Sequence, residues 1–116
     1  MSADLASLTQ ALRQFARERE WDQFNAPKNL ACALAVEASE LLEHFQWLTE
    51  EQSRSLPADK VHAISLEAAD VFLYLLTIAD KLGIDLVAAA REKMSINAQK
   101  YPVELARGTS KKYTEL

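Results

Sequence analysis

Glycine and proline are scarce in this chain, at two and three of 116 residues. All-β sandwiches and barrels spend far more of both on their turns, so the composition excludes them. Valine and isoleucine together number nine, against 36 for alanine and leucine. Alanine and leucine are the better helix formers, and β-branched residues favour strands. Cysteine occurs once, at Cys32, so no disulfide can form within the chain. A lone cysteine suits a reducing compartment. A cationic excess is also missing, since the net charge is -4. That argues against dedicated nucleic-acid binding. No unbroken apolar run approaches the roughly 18 residues of a membrane span. Met1 to Gln10 shows neither the basic start nor the apolar run of a secretory signal. The expectation is a cytoplasmic all-α protein of one domain, residues 1–116, with no membrane or nucleic-acid partner.

What is present is helical rhythm. Leu5, Leu8, Leu12 and Phe15 recur at three-four spacing and mark a first helix from Ser2, a good N-cap, to about Glu20. Residues Trp21 to Pro27 break that rhythm. A second helix is expected from Pro27 to about Trp47, with a core stripe of Leu30, Leu34, Leu41, Phe45 and Leu48. Thr49 to Pro57 reads as a polar, mobile loop. The third helix is the clearest, because Val61, Ile64, Ala68, Val71, Leu75, Ile78 and Leu82 keep an unbroken rhythm. Gly83 ends it, Asp85 caps a fourth helix, and Pro102 stops that one. Four helices with short links suggest a four-helix bundle. A core this thin leaves apolar surface for contacts between subunits.

Two carboxylate pairs stand out, Glu37-Ala38-Ser39-Glu40 and Glu67-Ala68-Ala69-Asp70. Residues at i and i+3 share a helix face, roughly 60° apart. With Glu37 at zero, Glu40, His44 and Trp47 fall within about 80° on one side, and the core stripe within about 80° on the other. Glu67 lies about 40° from Val71, with Tyr74 beside it. Both pairs therefore sit at the inner rim of their helices and can face one another. Clustered carboxylates repel unless protonated or neutralised. Mg²⁺ is the fitting cation, and Mn²⁺ is possible, because hard cations prefer oxygen ligands. A di-iron centre is disfavoured, since that chemistry wants Glu-x-x-His. The competing reading is a solvated acidic face on a helical interaction module with no enzymatic role.

Magnesium held by carboxylates suits phosphate chemistry. The chain has no Walker loop and no nucleophile elbow. Trp21 and Trp47 offer stacking surfaces, although either can serve as a core or interface residue. Asn29 lies on the Glu37 side of its helix. Lys93, Asn97 and Lys100 share a polar face that can neutralise phosphate or stay solvated.

The sequence resembles the MazG-like all-α nucleoside triphosphate pyrophosphohydrolases, and within them looks most like the dCTP pyrophosphatases. The resemblance rests on Arg17 to Phe24, Pro27 to Leu30, Glu37 to Trp47, Glu67 to Val71, Lys93 to Pro102 and Ala106 to Thr114. It implies hydrolysis of a nucleoside triphosphate, dCTP or a modified dCTP first, to the monophosphate and pyrophosphate. It implies Mg²⁺ held by Glu37, Glu40, Glu67 and Asp70, with Glu40 and Glu37 in the catalytic roles. It places Trp21 and Trp47 around the base, with Asn29, Tyr74, Asn97 and Tyr101 near the nucleotide. Phosphate contacts fall to Lys93 and Lys100. It also implies a homo-oligomer, a tetramer before a dimer, with tail residues 103–116 packing on a neighbouring subunit. Leu12 stands where some dCTP-preferring members carry a histidine, which leaves other bases, such as that of dUTP, open.

Overall fold

The computed structural model describes residues 3–116. The described residues are all-helical, with no strand. In chain order they form α1 (Ala3–Glu18), α2 (Pro27–Glu43), α3 (Glu50–Ser53), α4 (Ala58–Leu82), α5 (Leu86–Lys100), α6 (Val103–Ala106) and a 3-10 turn (Tyr113–Glu115). The expected N-cap Ser2 lies outside the described residues. The chain divides into two compact units, one spanning Ala3–Ile84 and the other built on Asp85–Leu116.

In the first unit α2 packs chiefly against α4, and α1 packs on α4 as well. Pro27 opens α2 at a position where its missing N–H costs nothing. The helix ends at Glu43 rather than near Trp47, because i to i−3 bonds tighten the chain beyond it: the amide of Phe45 donates to the carbonyl of Leu42 at 2.8 Å, and Leu48 to Phe45 at 2.9 Å. Residues Glu50–Ser53 are a helical turn, where the sequence suggested a loop. Thr49 and Gln52 form a reciprocal capping box there, which satisfies two backbone donors and holds the short turn.

Helices α1 and α4 end alike. At α4, Gly83 takes a left-handed φ of 67°, and the amide of Ile84 donates back to Ala79 at 2.8 Å. At α1, Glu20 takes the left-handed position with φ 54°, and the amide of Trp21 donates to Ala16 at 2.9 Å. Both are Schellman closures, one with the residue that suits it and one without. The closure at α1 turns the Trp21 ring onto the edge of Phe15, with centroids 5.6 Å apart. Arg13 on α1 pairs with Asp80 on α4, its Nε donating at 2.8 Å.

Little of this surface is covered. Among the described residues only Thr9, Ala16, Leu30, Leu76 and Ala79 are buried. The apolar stripe of α4 splits into two rows of seven-residue period. Ile64, Val71 and Ile78 are half-buried, whereas Val61, Ala68, Leu75 and Leu82 are exposed. By length and mean hydropathy alone, α4 is long and apolar enough to cross a membrane, although charged residues interrupt its apolar run. Glu67 and Asp70 sit in its middle and are joined to a cluster with α2, an arrangement costly in hydrocarbon.

In the second unit, Asp85 caps α5 by accepting from the amide of Ala88 at 3.1 Å. Tyr113 meets the Tyr101 ring edge-on at 6.0 Å, and the Lys100 ammonium lies 4.7 Å from the Tyr113 ring centre.

Candidate functional site

The α2–α4 contact brings the two acidic motifs together. Glu37, Glu67 and Asp70 each offer a carboxylate oxygen, and the three oxygens all lie within 4.8 Å of one another. Such crowding of like charge needs compensation. Glu37 and Glu67 are half-buried, and the Oε2 atom of each is buried with no hydrogen-bond partner. Orphaned buried carboxylate oxygens are costly, and a cation between them would satisfy both.

Protonation answers the same strain. The Glu37 carboxyl is pushed up to about 7, first by a hydrogen bond shared with Glu40, then by burial and by the charges of Glu40, Asp70 and Glu67. Glu67 is raised by burial first, then by the charge of Glu40 and a hydrogen bond with it, while His44 draws it back down. Glu40 thus lies against both neighbours, yet it is outside the trio of closest oxygens. Every donor in the trio is a carboxylate oxygen, which fits a hard divalent cation rather than a soft one.

A cavity of about 450 Å³ opens beside the trio, between α1, the link after it and α4. Leu8, Leu12 and Phe15 line it from α1, Trp21 and Asn25 from the link, and Asp70 and Tyr74 from α4. Asp70 belongs to both the cavity wall and the carboxylate trio. A volume of this size with apolar walls and few polar groups is that of a small-molecule site.

The other sequence-derived candidates fall in different places. Trp21 and Tyr74 line the cavity. Trp47 does not, and is 86% exposed just beyond α2. The Asn29 amide donates to the carbonyl of Phe24 at 2.9 Å, tying the link to α2. Lys93, Asn97, Lys100 and Tyr101 lie in the unit built on Asp85–Leu116, where Lys93 and Asn97 are exposed. Sequence reasoning missed Phe15, Asn25 and Thr77 as cavity residues. Phe15 follows the same rhythm as a core residue, and Asn25 lies in a link with no periodicity to read.

The chain is 44% identical over 105 residues to dCTP pyrophosphatase 1 of Mus musculus, covering 89% of this chain and 62% of that one. It is 43% identical over 106 residues to dCTP pyrophosphatase 1 of Homo sapiens, with the same coverages. The chain therefore spans about three-fifths of the length of these relatives. Among solved structures, a pyrophosphatase from Archaeoglobus fulgidus superposes with a TM-score of 0.70 at 33% identity, covering 88% of this chain and 95% of that one. The MazG-like family model matches residues 32–116, a stretch that holds all four acidic residues of the two motifs. With the acidic motifs folded into one cluster and most of its length matched, the chain belongs to the MazG-like family.

Proposed function

We propose that this protein is a Mg²⁺-dependent nucleoside triphosphate pyrophosphohydrolase acting on dCTP or a modified dCTP. The observation that carries this reading is Asp70, which joins the carboxylate trio to the cavity wall. A cation held by the trio then sits beside whatever the cavity holds. A nucleotide matches that pairing, with its flat base in the apolar cavity and its charged triphosphate at the cation. Similarity to the two dCTP pyrophosphatases supports the choice of base. The same chemistry on dUTP is the alternative.

Glu37, Glu67 and Asp70 would hold the cation, with Glu40 completing the set. Bound Mg²⁺ would supply positive charge for the triphosphate and acidify a water. Trp21 stacks on the base, and Tyr74 offers a phenol at the same wall. We assign Trp47, Asn29, Asn97 and Tyr101 to the nucleotide environment, and Lys93 and Lys100 to phosphate, on the strength of the family resemblance. Water cleaves the anhydride between the α- and β-phosphoryl groups, leaving the monophosphate and pyrophosphate. Glu40 takes the proton of that water, because it abuts Glu37 and Glu67 without being one of the three closest oxygens.

The exposed row Val61, Ala68, Leu75 and Leu82 supports a homo-oligomer, because so apolar a helix face wants a partner. We read the chain as a single four-helix bundle-like domain in a tetramer, with residues 103–116 packing on a neighbouring subunit. We place it in the cytoplasm, without nucleic-acid or membrane partners.

The test is Glu40→Gln assayed with dCTP and Mg²⁺. Pyrophosphate release should fall on the order of 100-fold or more, the scale of a lost general base. Unchanged release would overturn the assignment of Glu40.

A further inference from the structure

The polar groups of the cavity can be accounted for one by one. Asp70 belongs to the carboxylate trio. The Thr77 hydroxyl is already spent, donating to the carbonyl of Leu73 at 2.8 Å, so it retains only acceptor capacity. Tyr74 carries a single hydroxyl. Asn25 is different. Its side chain is half-buried in the cavity wall and has no hydrogen-bond partner among the described residues. Its amide presents a donor and an acceptor in one plane. Among the remaining walls, Leu8, Leu12 and Phe15 offer a base edge nothing to bond, and the Trp21 indole offers a donor but no acceptor.

The backbone around Asn25 is held on three sides. Its own amide donates to the carbonyl of Asp22 at 3.2 Å. Asp22 pairs with Lys81 of α4 at 3.3 Å. The carbonyl of Phe24, the preceding residue, accepts from the Asn29 side chain of α2. A free polar side chain on a fixed backbone is what a selective contact requires.

We propose that Asn25 is the specificity residue of the cavity and reads the hydrogen-bonding edge of a pyrimidine base. The inference rests on the nucleotide reading above. An amide pairs in two contacts with the amino group and ring nitrogen of cytosine. Turned over, it pairs equally with the carbonyl and N–H of uracil. Asn25 therefore accepts both bases, and selectivity changes when its donor is removed. Asn25→Asp can accept from the cytosine amino group by the hydrogen that points away from the ring nitrogen, whereas accepting from the uracil N–H sets its second oxygen against a flanking carbonyl. Asn25→Leu removes both contacts.

The experiment measures kcat/KM for dCTP and dUTP with Mg²⁺ in wild type and both variants. Folding is checked by circular dichroism. Asn25→Asp should raise the dCTP to dUTP ratio about 10-fold over wild type, a change in preference that a structural role would not produce. Asn25→Leu should lower kcat/KM on both substrates about 10-fold or more. If wild type turns over these substrates and the Asp variant, folded, leaves the ratio unchanged, the role of Asn25 is overturned and the nucleotide reading stands. If wild type turns over neither substrate, both fall together.

Discussion

Glu37 on α2 and Glu67 on α4 bring carboxylate oxygens within 4.8 Å of one another, and each buries its Oε2 without a hydrogen-bond partner. The fold maintains this contact against like-charge repulsion, since α2 and α4 form its largest helix pairing. Both carboxyls are raised, Glu37 first by a hydrogen bond shared with Glu40 and Glu67 first by burial, with the neighbouring negative charges adding to each. A site that is uncomfortable when empty of counter-charge favours a cation strongly when one is offered.

Glu67→Gln separates the two sides of that balance. Without divalent cation the variant should melt higher than wild type, because one crowded charge is gone. Mg²⁺ should raise the wild-type Tm by binding the native state, and should leave the variant nearly unmoved. Scanning calorimetry with and without Mg²⁺ reads both effects.

Trp21→Ala should weaken nucleotide binding more than it slows the chemistry. Base-aromatic stacking is worth about 1–3 kcal/mol, so KM for dCTP should rise about 10-fold or more. Steady-state kinetics that showed only a fall in kcat would place Trp21 outside the base contact.

Glu20→Gly should stabilise the protein. Glu20 occupies the left-handed position that Gly83 fills at the equivalent end of α4. A non-glycine residue there costs on the order of 1 kcal/mol, so relieving it should raise the Tm. Urea unfolding of the variant measures the gain directly.

Arg13→Met should lower the Tm at neutral pH by a small amount, and the loss should depend on pH. The Arg13 guanidinium holds the Asp80 carboxyl below its ordinary value of 3.8. A depressed folded-state value means the pair stabilises the protein above pH 3.8 and ceases to do so as pH falls through the lower value. Melting curves of both proteins should converge under acid conditions below that range.

Much of the fold could be read from particular residues. Pro27 opens α2, Gly83 closes α4 and Asp85 caps α5, each at the position its chemistry favours. The helical rhythm also set the two acidic motifs at the rims from which Glu37, Glu67 and Asp70 converge. Rhythm reports that a face is apolar and not what it meets. Leu8 and Phe15 read as core and instead line an open cavity. The α3 turn was within reach, since Thr49 and Gln52 have capping-box spacing, but four residues leave no rhythm to confirm it. Asn25 could not be singled out, because its importance comes from lacking a partner in three dimensions.

The most direct test of a metal-dependent pyrophosphohydrolase is product analysis by phosphorus NMR of dCTP incubated with the protein and Mg²⁺, alongside Glu67→Gln and a chelated control. Wild type should give dCMP and pyrophosphate in equal amounts, with turnover reduced on the order of 100-fold or more in both comparisons. Release of dCDP and inorganic phosphate, or equal turnover in all three samples, would contradict that activity.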